Sequence, residues 1–217
     1  MSLPSLASPE LFPAAAAPLE EACAPLPRDV AGALLFALSR RPAEDDRPVL
    51  MALPRAWLGE YGRPYAPGLA GPPPILAPVA TPAEALWALE QGLRSGAVSL
   101  ALGAVEEATL AQSRRLDFAA RHGRAVGVTL SRRLDGLSAA RRRWRISSRV
   151  GEGDRDDPRA PGPARFSVEL VRSRGERPGV WILEQDDETH RLRLADRLAG
   201  LRPAAVAGAG VRSGLAA

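Results

Sequence analysis

Short apolar runs alternate with helical segments along the middle of this 217-residue chain, and this pattern limits the folds that it can adopt. The runs 49–53, 75–79, 98–105 and 125–130 are almost wholly apolar and are bounded by Pro, Gly or charged residues. Strands that are buried on both faces have this composition. Because helices separate the last three runs, the sequence predicts an α/β protein with a mostly parallel sheet flanked by helices.

Three helices are predicted between these runs. The first follows Asp29, a suitable N-cap, and ends before Pro42. The second begins at the sequence 81–84, Thr-Pro-Ala-Glu, which has the form of a capping box with proline at the first helical position. The third covers about residues 107–121 and places Glu106 and Glu107 at its first turn, where acids suit the helix dipole.

After Ser131 the spacing of apolar residues changes to every second position, which is typical of strands with one solvated face. Such strands are predicted at 143–147 and 165–170, with a more buried one at 180–183 and another near 190–194. They are expected to extend the sheet in an antiparallel manner.

The chain is expected to contain one domain between two flexible ends. Residues 1–27 are rich in Ala and Pro without apolar periodicity, so we expect a flexible N-terminal arm. Residues 28–202 would form the domain, in which the Gly/Pro-rich stretch 59–74 is a long connection, and 203–217 a flexible tail.

The chain contains no lysine, so all 29 basic residues are arginine. A phosphate-binding loop needs a lysine beside the transferred phosphate. The stretch 22–30, where an α/β nucleotide-binding protein would carry this loop, has neither glycine nor a Lys-Ser/Thr pair. The apolar run 98–105 is where such proteins have their magnesium-binding strand. It contains no carboxylate, and the first acids come after it at Glu106 and Glu107. We therefore expect no bound nucleotide, no cofactor and no enzymatic activity.

Other catalytic or metal-binding groups have little support in the sequence. Cys23 cannot form an internal disulfide, and neither His122 nor His190 has a second ligand at metal-binding spacing. No apolar run approaches the roughly 20 residues that span a bilayer, and acids such as Glu10 stand where a signal peptide would carry bases. We expect a cytoplasmic location and no membrane contact.

Positive charge is concentrated in residues 111–150, which hold eleven arginines and two acids. This segment has a charge of +9 in a protein of net charge +4, so the remainder carries −5. The candidate contact with DNA or a partner is its densest cluster, formed by Arg141, Arg142, Arg143, Arg145 and Arg149.

Strand alternation predicts that Arg143, Arg145 and Arg149 face solvent and that Trp144 and Ile146 face the core. A charged strand that discourages aggregation would look the same, so phosphate contact and a solvated edge remain equal alternatives. Trp87 and Trp181 lie in strongly apolar elements and are predicted to belong to the core.

Many short matches in chain order resemble the ImuA family, the RecA-like proteins of damage-inducible mutagenesis cassettes. These matches extend over about residues 28–200 and are Thr81, 85–94, 113–116, 143–146, 166–170, Arg172, 174–175, 178–179, 181–184, Asp187 and 189–191. The resemblance implies a degenerate RecA-like core without ATPase motifs, in agreement with the missing lysine.

The resemblance also implies a function and partners. Members of the family act in the SOS response with ImuB, an inactive polymerase homologue, and through it with an error-prone DnaE-type polymerase subunit. RecA and single-stranded DNA are further candidate partners. The chain would then be a non-catalytic adaptor in translesion DNA synthesis.

Two other functions remain open. A SulA-like cell-division inhibitor would share a reduced RecA-like fold and bind the tubulin-like division protein. An enzyme with an unrecognised site would need converging polar groups that the sequence does not reveal.

Overall fold

The computed structural model describes residues 12–134, 138–151, 153, 157 and 159–195, which form one sheet and four α-helices. The strands are β1 (Leu19–Cys23), β2 (Val49–Pro54), β3 (Ile75–Val79), β4 (Leu100–Ala104), β5 (Val126–Ser131), β6 (Arg142–Arg149), β7 (Arg165–Ser173), β8 (Gly179–Gln185) and β9 (Leu192–Leu194). The helices are α1 (Val30–Ser39), α2 (Arg55–Tyr61), α3 (Pro82–Ser95) and α4 (Leu110–Gly123). No helix in the described part of the chain is both long and apolar enough to cross a membrane.

The strand order across the sheet is β3-β2-β4-β5-β1-β6-β7-β8-β9. Neighbouring strands from β3 to β6 are parallel, and those from β6 to β9 are antiparallel. The predicted α/β fold, with a mostly parallel sheet and antiparallel strands in the C-terminal half, is therefore confirmed.

Helices cover the two faces of the sheet unequally. On one face α1 packs along the centre, with Phe36 fully buried against Trp144 of β6, and apolar residues of β7 and β8 continue this core. On the other face α3 and α4 cover the parallel strands only. That second core contains no residue of β6, β7, β8 or β9 among the described residues, so the antiparallel part of this face has no helix over it.

The local sequence signals predicted α3 correctly, but they placed the first residue of α4 too early. The Thr81 hydroxyl accepts a hydrogen bond from the Glu84 amide at 3.2 Å, as expected for an N-cap. Helix α4 begins three residues later than predicted because Thr109 and Gln112 form a capping box. The prediction that Glu106 and Glu107 belong to the first turn of this helix is wrong, since both precede its N-cap.

The predicted flexible arm is wrong for residues 12–27. Strand β1 lies in the middle of the sheet between β5 and β6, and Leu19, Glu20 and Ala22 are each at most 1% exposed. Cys23 is accordingly a buried residue of a central strand. Residues 1–11 and the predicted tail 203–217 lie outside the described residues.

The predicted long connection at 59–74 is shorter than expected. Helix α2 follows β2 directly, since Pro54 takes an extended conformation at its N-cap position, and a single 3-10 turn forms at Ala66–Gly68. The rings of Trp57 and Tyr61 of α2 lie 5.1 Å apart at an angle of 55° and pack against the α1 side of the core.

One arginine joins the carboxyl ends of α3 and α4. The Arg47 guanidinium donates to the carbonyl oxygens of Gly96, Gly123 and Arg124 at 2.6–3.0 Å, so its charge faces the negative end of both helix dipoles. Asp45 holds this guanidinium from the other side, and the hydrogen bond from Arg47 lowers the pKa of Asp45. The two helices are therefore fixed to each other as well as to the sheet.

Candidate functional site

The arginine cluster of β6 is divided between the interior and the surface. Arg142 and Arg143 are each only 8% exposed, whereas Arg141, Arg145 and Arg149 are exposed. The prediction that Arg143 faces solvent is wrong. It lies opposite Glu21 of β1 in the parallel ladder and forms an ion pair with that carboxylate, which is itself 15% exposed.

The interior half of the cluster is built around one carboxylate. Glu20 is 0% exposed and accepts hydrogen bonds from the Arg40 guanidinium at 3.0 and 3.2 Å and from Arg142 at 3.0 Å. The indole nitrogen of Trp144 donates to it at 2.8 Å and the Ala17 amide at 2.7 Å. A buried carboxylate needs this degree of pairing to offset its lost hydration.

Arg40 also connects the N-terminal segment to the aromatic core. Its guanidinium carbon lies 5.6 Å from the ring centres of Phe36 and Trp144 and 5.8 Å from that of Phe12. It donates to the carbonyl oxygens of Pro13 and Ala15. Burial lowers the pKa of Arg40 and the Glu20 carboxylate opposes this, but an arginine remains charged in either case.

Arg142 reaches a second carboxylate at the turn between β7 and β8. It donates to Glu176 at 2.6 Å, and this hydrogen bond is the main reason that the pKa of Glu176 is lowered to about 2. Ser173 donates a further hydrogen bond to the same carboxylate. The interior arginines thus hold together β1, β6, α1 and the β7–β8 turn.

The exposed half of the cluster lies on the sheet face that no helix covers. We call this surface the open arginine face and define it by Arg145, Arg149, Arg165, Glu169, Glu184 and Arg193. Arg145 pairs with Glu169 at 2.7 Å, and Glu184 is shared by Arg165 at 3.0 Å and Arg193 at 2.7 Å.

One feature of the open arginine face favours anion binding. Arg149 of β6 and Arg165 of β7 stand directly opposite each other in the antiparallel ladder. Like charges directly opposite each other destabilise a sheet, and Glu184, which pairs with Arg165 at 3.0 Å, offsets part of this repulsion. Four arginines and two glutamates give this face a net charge of +2, which suits a phosphate or an acidic protein surface.

The turn between β1 and α1 has the position of a phosphate-binding loop, because it connects the carboxyl end of a central parallel strand to a helix. The carboxylate of Asp29, 1% exposed, fills this place. It accepts hydrogen bonds from the amides of Leu26 at 3.2 Å and Ser148 at 2.7 Å. Ser148 also donates through its hydroxyl to the Arg28 carbonyl at 2.9 Å. The Asp29 carboxylate therefore holds one amide of this loop and ties the loop to β6.

A cavity of about 270 Å3 opens at the same edge of the sheet, between β1, β4, β5 and α4. Its polar wall includes Glu21, Glu106, Glu107, Thr129 and Arg143. Glu106 accepts a hydrogen bond from the Arg132 amide at 2.9 Å, and Glu21 is engaged by Arg143. Glu21 and Glu106 are thus engaged by protein groups, and Glu106 and Glu107 are exposed at the wall of the cavity.

Trp87 and Trp181, which the sequence predicts to belong to the core, differ in their burial. Trp181 is 6% exposed and packs edge-to-face on Trp144, as expected. Trp87 is 65% exposed, so its prediction as a core residue is wrong. Its helix already buries Ala85, Leu86, Leu89 and Leu93, and the sequence alone did not show that these four residues complete the apolar face.

The fold and the site define an α/β protein whose loop at the head of α1 is closed by its own carboxylate and whose surface presents arginine. No model of a protein family matches the chain. Two proteins named Protein ImuA, from two strains of Caulobacter vibrioides, are 36% identical to it over 73% of this chain and 72% of theirs. The chain belongs to the ImuA family, which implies a role in damage-inducible mutagenesis.

Two partial similarities concern cell-division inhibitors. The protein SulA of Edwardsiella piscicida is 42% identical over 57 residues, which is 26% of this chain and 34% of that protein. The crystal structure of SulA from Pseudomonas aeruginosa covers 53% of this chain and 98% of its own, with a TM-score of 0.41 and 22% identity. A structural likeness with a TM-score of 0.41 carries no argument about function.

Replacing Glu20 with glutamine should destabilise the protein strongly. The change keeps the shape of the side chain but leaves Arg40 and Arg142 without their shared carboxylate, and breaking a buried ion pair costs about 3 to 5 kcal/mol. The matched control is Glu169→Gln at the exposed pair with Arg145, which should cost less than about 1 kcal/mol. Urea denaturation gives both values, and equal costs would contradict the structural role of Glu20.

Because of the Glu176–Arg142 pair, the free energy of unfolding should decrease at acid pH. The pKa of Glu176 in the folded protein, about 2, is below its ordinary value of 4.5, so its contribution is complete above pH 4.5. The contribution should be lost as the pH falls from 4.5 towards 2. Urea midpoints measured across this range should fall less steeply for Glu176→Gln than for the wild type. Parallel curves for the two proteins would show that this pair does not contribute.

Proposed function

We propose that this chain is a non-catalytic adaptor in SOS-induced translesion DNA synthesis. It would bring an error-prone DnaE-type polymerase subunit to damaged DNA through an ImuB-type partner, the inactive polymerase homologue. On this proposal the protein acts in the cytoplasm, turns over no substrate and works through its surfaces. On the same proposal its core is a RecA-like domain that does not bind nucleotide.

The observation that carries this proposal is the Asp29 carboxylate at the head of α1. A nucleotide phosphate bound there would meet a buried negative charge, and the Leu26 amide of the loop is already engaged by it. The chain has no lysine that could neutralise the carboxylate and bind the phosphate. Because a fold alone does not assign a function, the proposal depends on the surfaces that the protein presents.

The open arginine face is the surface that we assign to contact with an anionic partner. Arg145 and Arg149 are exposed on it, and Arg141 is exposed immediately before β6. Two ligands have the right chemistry, single-stranded DNA and an acidic surface of a protein such as RecA or the ImuB-type partner. Phosphate contacts weaken steeply with salt, so the two can be distinguished.

The alternative function is cell-division inhibition by binding the tubulin-like division protein. It is supported by the 57-residue match to SulA, which spans about a quarter of the chain. The similarity to Protein ImuA spans nearly three quarters. We therefore favour the adaptor, and the division protein serves as a second ligand in the experiment below.

The double variant Arg145→Ala/Arg149→Ala should bind single-stranded DNA on the order of tenfold more weakly than the wild type at low salt. Removing two phosphate contacts should also reduce the slope of log affinity against log salt by about 1.4, since each contact contributes about 0.7. The matched control Arg55→Ala/Arg63→Ala removes the same charge from exposed positions in and after α2. Titrations by fluorescence anisotropy at 50 and 200 mM salt, chosen as roughly the range over which such contacts weaken, measure both quantities.

The outcomes separate the alternatives. If both double variants bind DNA like the wild type, the open arginine face is a solvated edge and not a DNA contact. Stable binding of the ImuB-type partner without any DNA binding would make the chain a purely protein-binding adaptor. Binding of the division protein, with none of the ImuB-type partner, would replace the proposal by its alternative.

A further inference from the structure

Two large aromatic side chains lie exposed on the outer surface of the layer formed by α3 and α4. Trp87 of α3 is 65% exposed and Phe118 of α4 is 67% exposed. Neither is needed by the core, because each helix buries a complete stripe of other residues. Exposed aromatic residues that the core does not use are typical of protein-binding surfaces.

The surface that carries these residues is rigid. Arg115 of α4 reaches Glu90 of α3 at 3.5 Å, and Arg47 holds the carboxyl ends of both helices. Gly123 lies so close to the Leu93 carbonyl that an added Cβ would be 1.8 Å from the oxygen. Phe118 stacks on His122 one turn further along α4, with ring centres 6.5 Å apart. A surface fixed in this way loses little entropy when a partner docks on it.

The charge that this surface presents to solvent is positive. Glu90 pairs with Arg94 and Arg115 and its side chain is only 12% exposed, while the side chains of those two arginines are 46% and 63% exposed. Asp117 is 21% exposed and pairs with Arg121, which is 53% exposed. Glu90 and Asp117 are therefore largely covered, while Glu84 at the start of α3 is exposed. The exposed arginines outnumber this acid, so the surface keeps a positive charge.

We propose that the outer surface of α3 and α4 is a docking site for a protein segment with an apolar or aromatic anchor flanked by acidic residues. Trp87 and Phe118 would contact the anchor, and Arg94, Arg115 and Arg121 would contact the acids. This inference rests on the proposed function, because an adaptor must dock a protein partner.

The residues of this surface favour a protein over a nucleic acid as its ligand. The formal charges of α3 and α4 together sum to only +1, from four arginines and three acids. Nucleic-acid binding depends on several phosphate contacts and so needs a larger excess of positive charge. Tryptophan and arginine, in contrast, are the residues that contribute most to protein interfaces.

The test is the affinity of the full chain for the purified ImuB-type partner, measured by titration calorimetry. The double variant Trp87→Ala/Phe118→Ala should raise the dissociation constant at least tenfold. The matched control Tyr65→Ala/Ile75→Ala removes two apolar side chains that are 75% and 51% exposed outside this surface, and should leave the constant within twofold. Arg114 is exposed one turn before Phe118 on α4 and so belongs to the same surface. Reversing its charge in Arg114→Glu should also weaken binding.

The other outcomes would overturn the inference, and each has a different result for the adaptor function. If the wild type binds the partner and both α3/α4 variants bind equally well, the docking surface is elsewhere and the adaptor function stands. If the wild type does not bind the partner, the inference and the proposed function fall together. Loss of single-stranded DNA binding in Trp87→Ala/Phe118→Ala, with partner binding intact, would make the surface a nucleic-acid platform. Should that variant unfold at a lower urea concentration than the wild type, Arg114→Glu decides the matter.

Discussion

The carboxylate of Glu20 must be neutralised before β1 can lie in the middle of the sheet. Arg40 approaches it from the end of α1, Arg142 and Trp144 from β6, and the Ala17 amide from the segment before β1. Each of these elements is placed by its bond to the same carboxylate. The cluster therefore determines where β6 pairs with β1 and hence where the antiparallel half of the sheet begins.

The arginines of the segment 111–150 divide into two groups with different roles. Acids from outside this segment, Glu20, Glu21 and Glu176, pair with Arg142 and Arg143 in or near the interior. This pairing explains how a segment of charge +9 and a remainder of −5 belong to one stable domain. The other nine arginines of the segment are exposed, on α4 and just after it, after β5, immediately before β6 and on the open arginine face. An estimate of nucleic-acid binding from the sequence charge alone would therefore be too high.

The sequence predicted those elements whose stability comes from local signals and apolar burial. Strands β2 and β3 follow from continuous apolar runs, and α3 follows from the cap at Thr81 and the left-handed Gly96 at its end. Strand β1 could not be predicted in this way, because two adjacent glutamates interrupt it and their partners are distant in the chain. The burial of Arg143 has the same cause, since it depends on Glu21. The exposure of Trp87 depends on how much of α3 the sheet covers, which only the tertiary structure determines.

We propose that the head of α1 is a structural corner and not a nucleotide site. Equilibrium binding of ATP and ADP with magnesium, measured by calorimetry on the full chain with and without single-stranded DNA, tests it most directly. We expect no saturable binding up to millimolar nucleotide, because the buried Asp29 carboxylate lies at this position and already holds the Leu26 amide of the loop. Saturable magnesium-dependent binding at micromolar nucleotide, abolished by a change in the loop at residues 24–29, would contradict it.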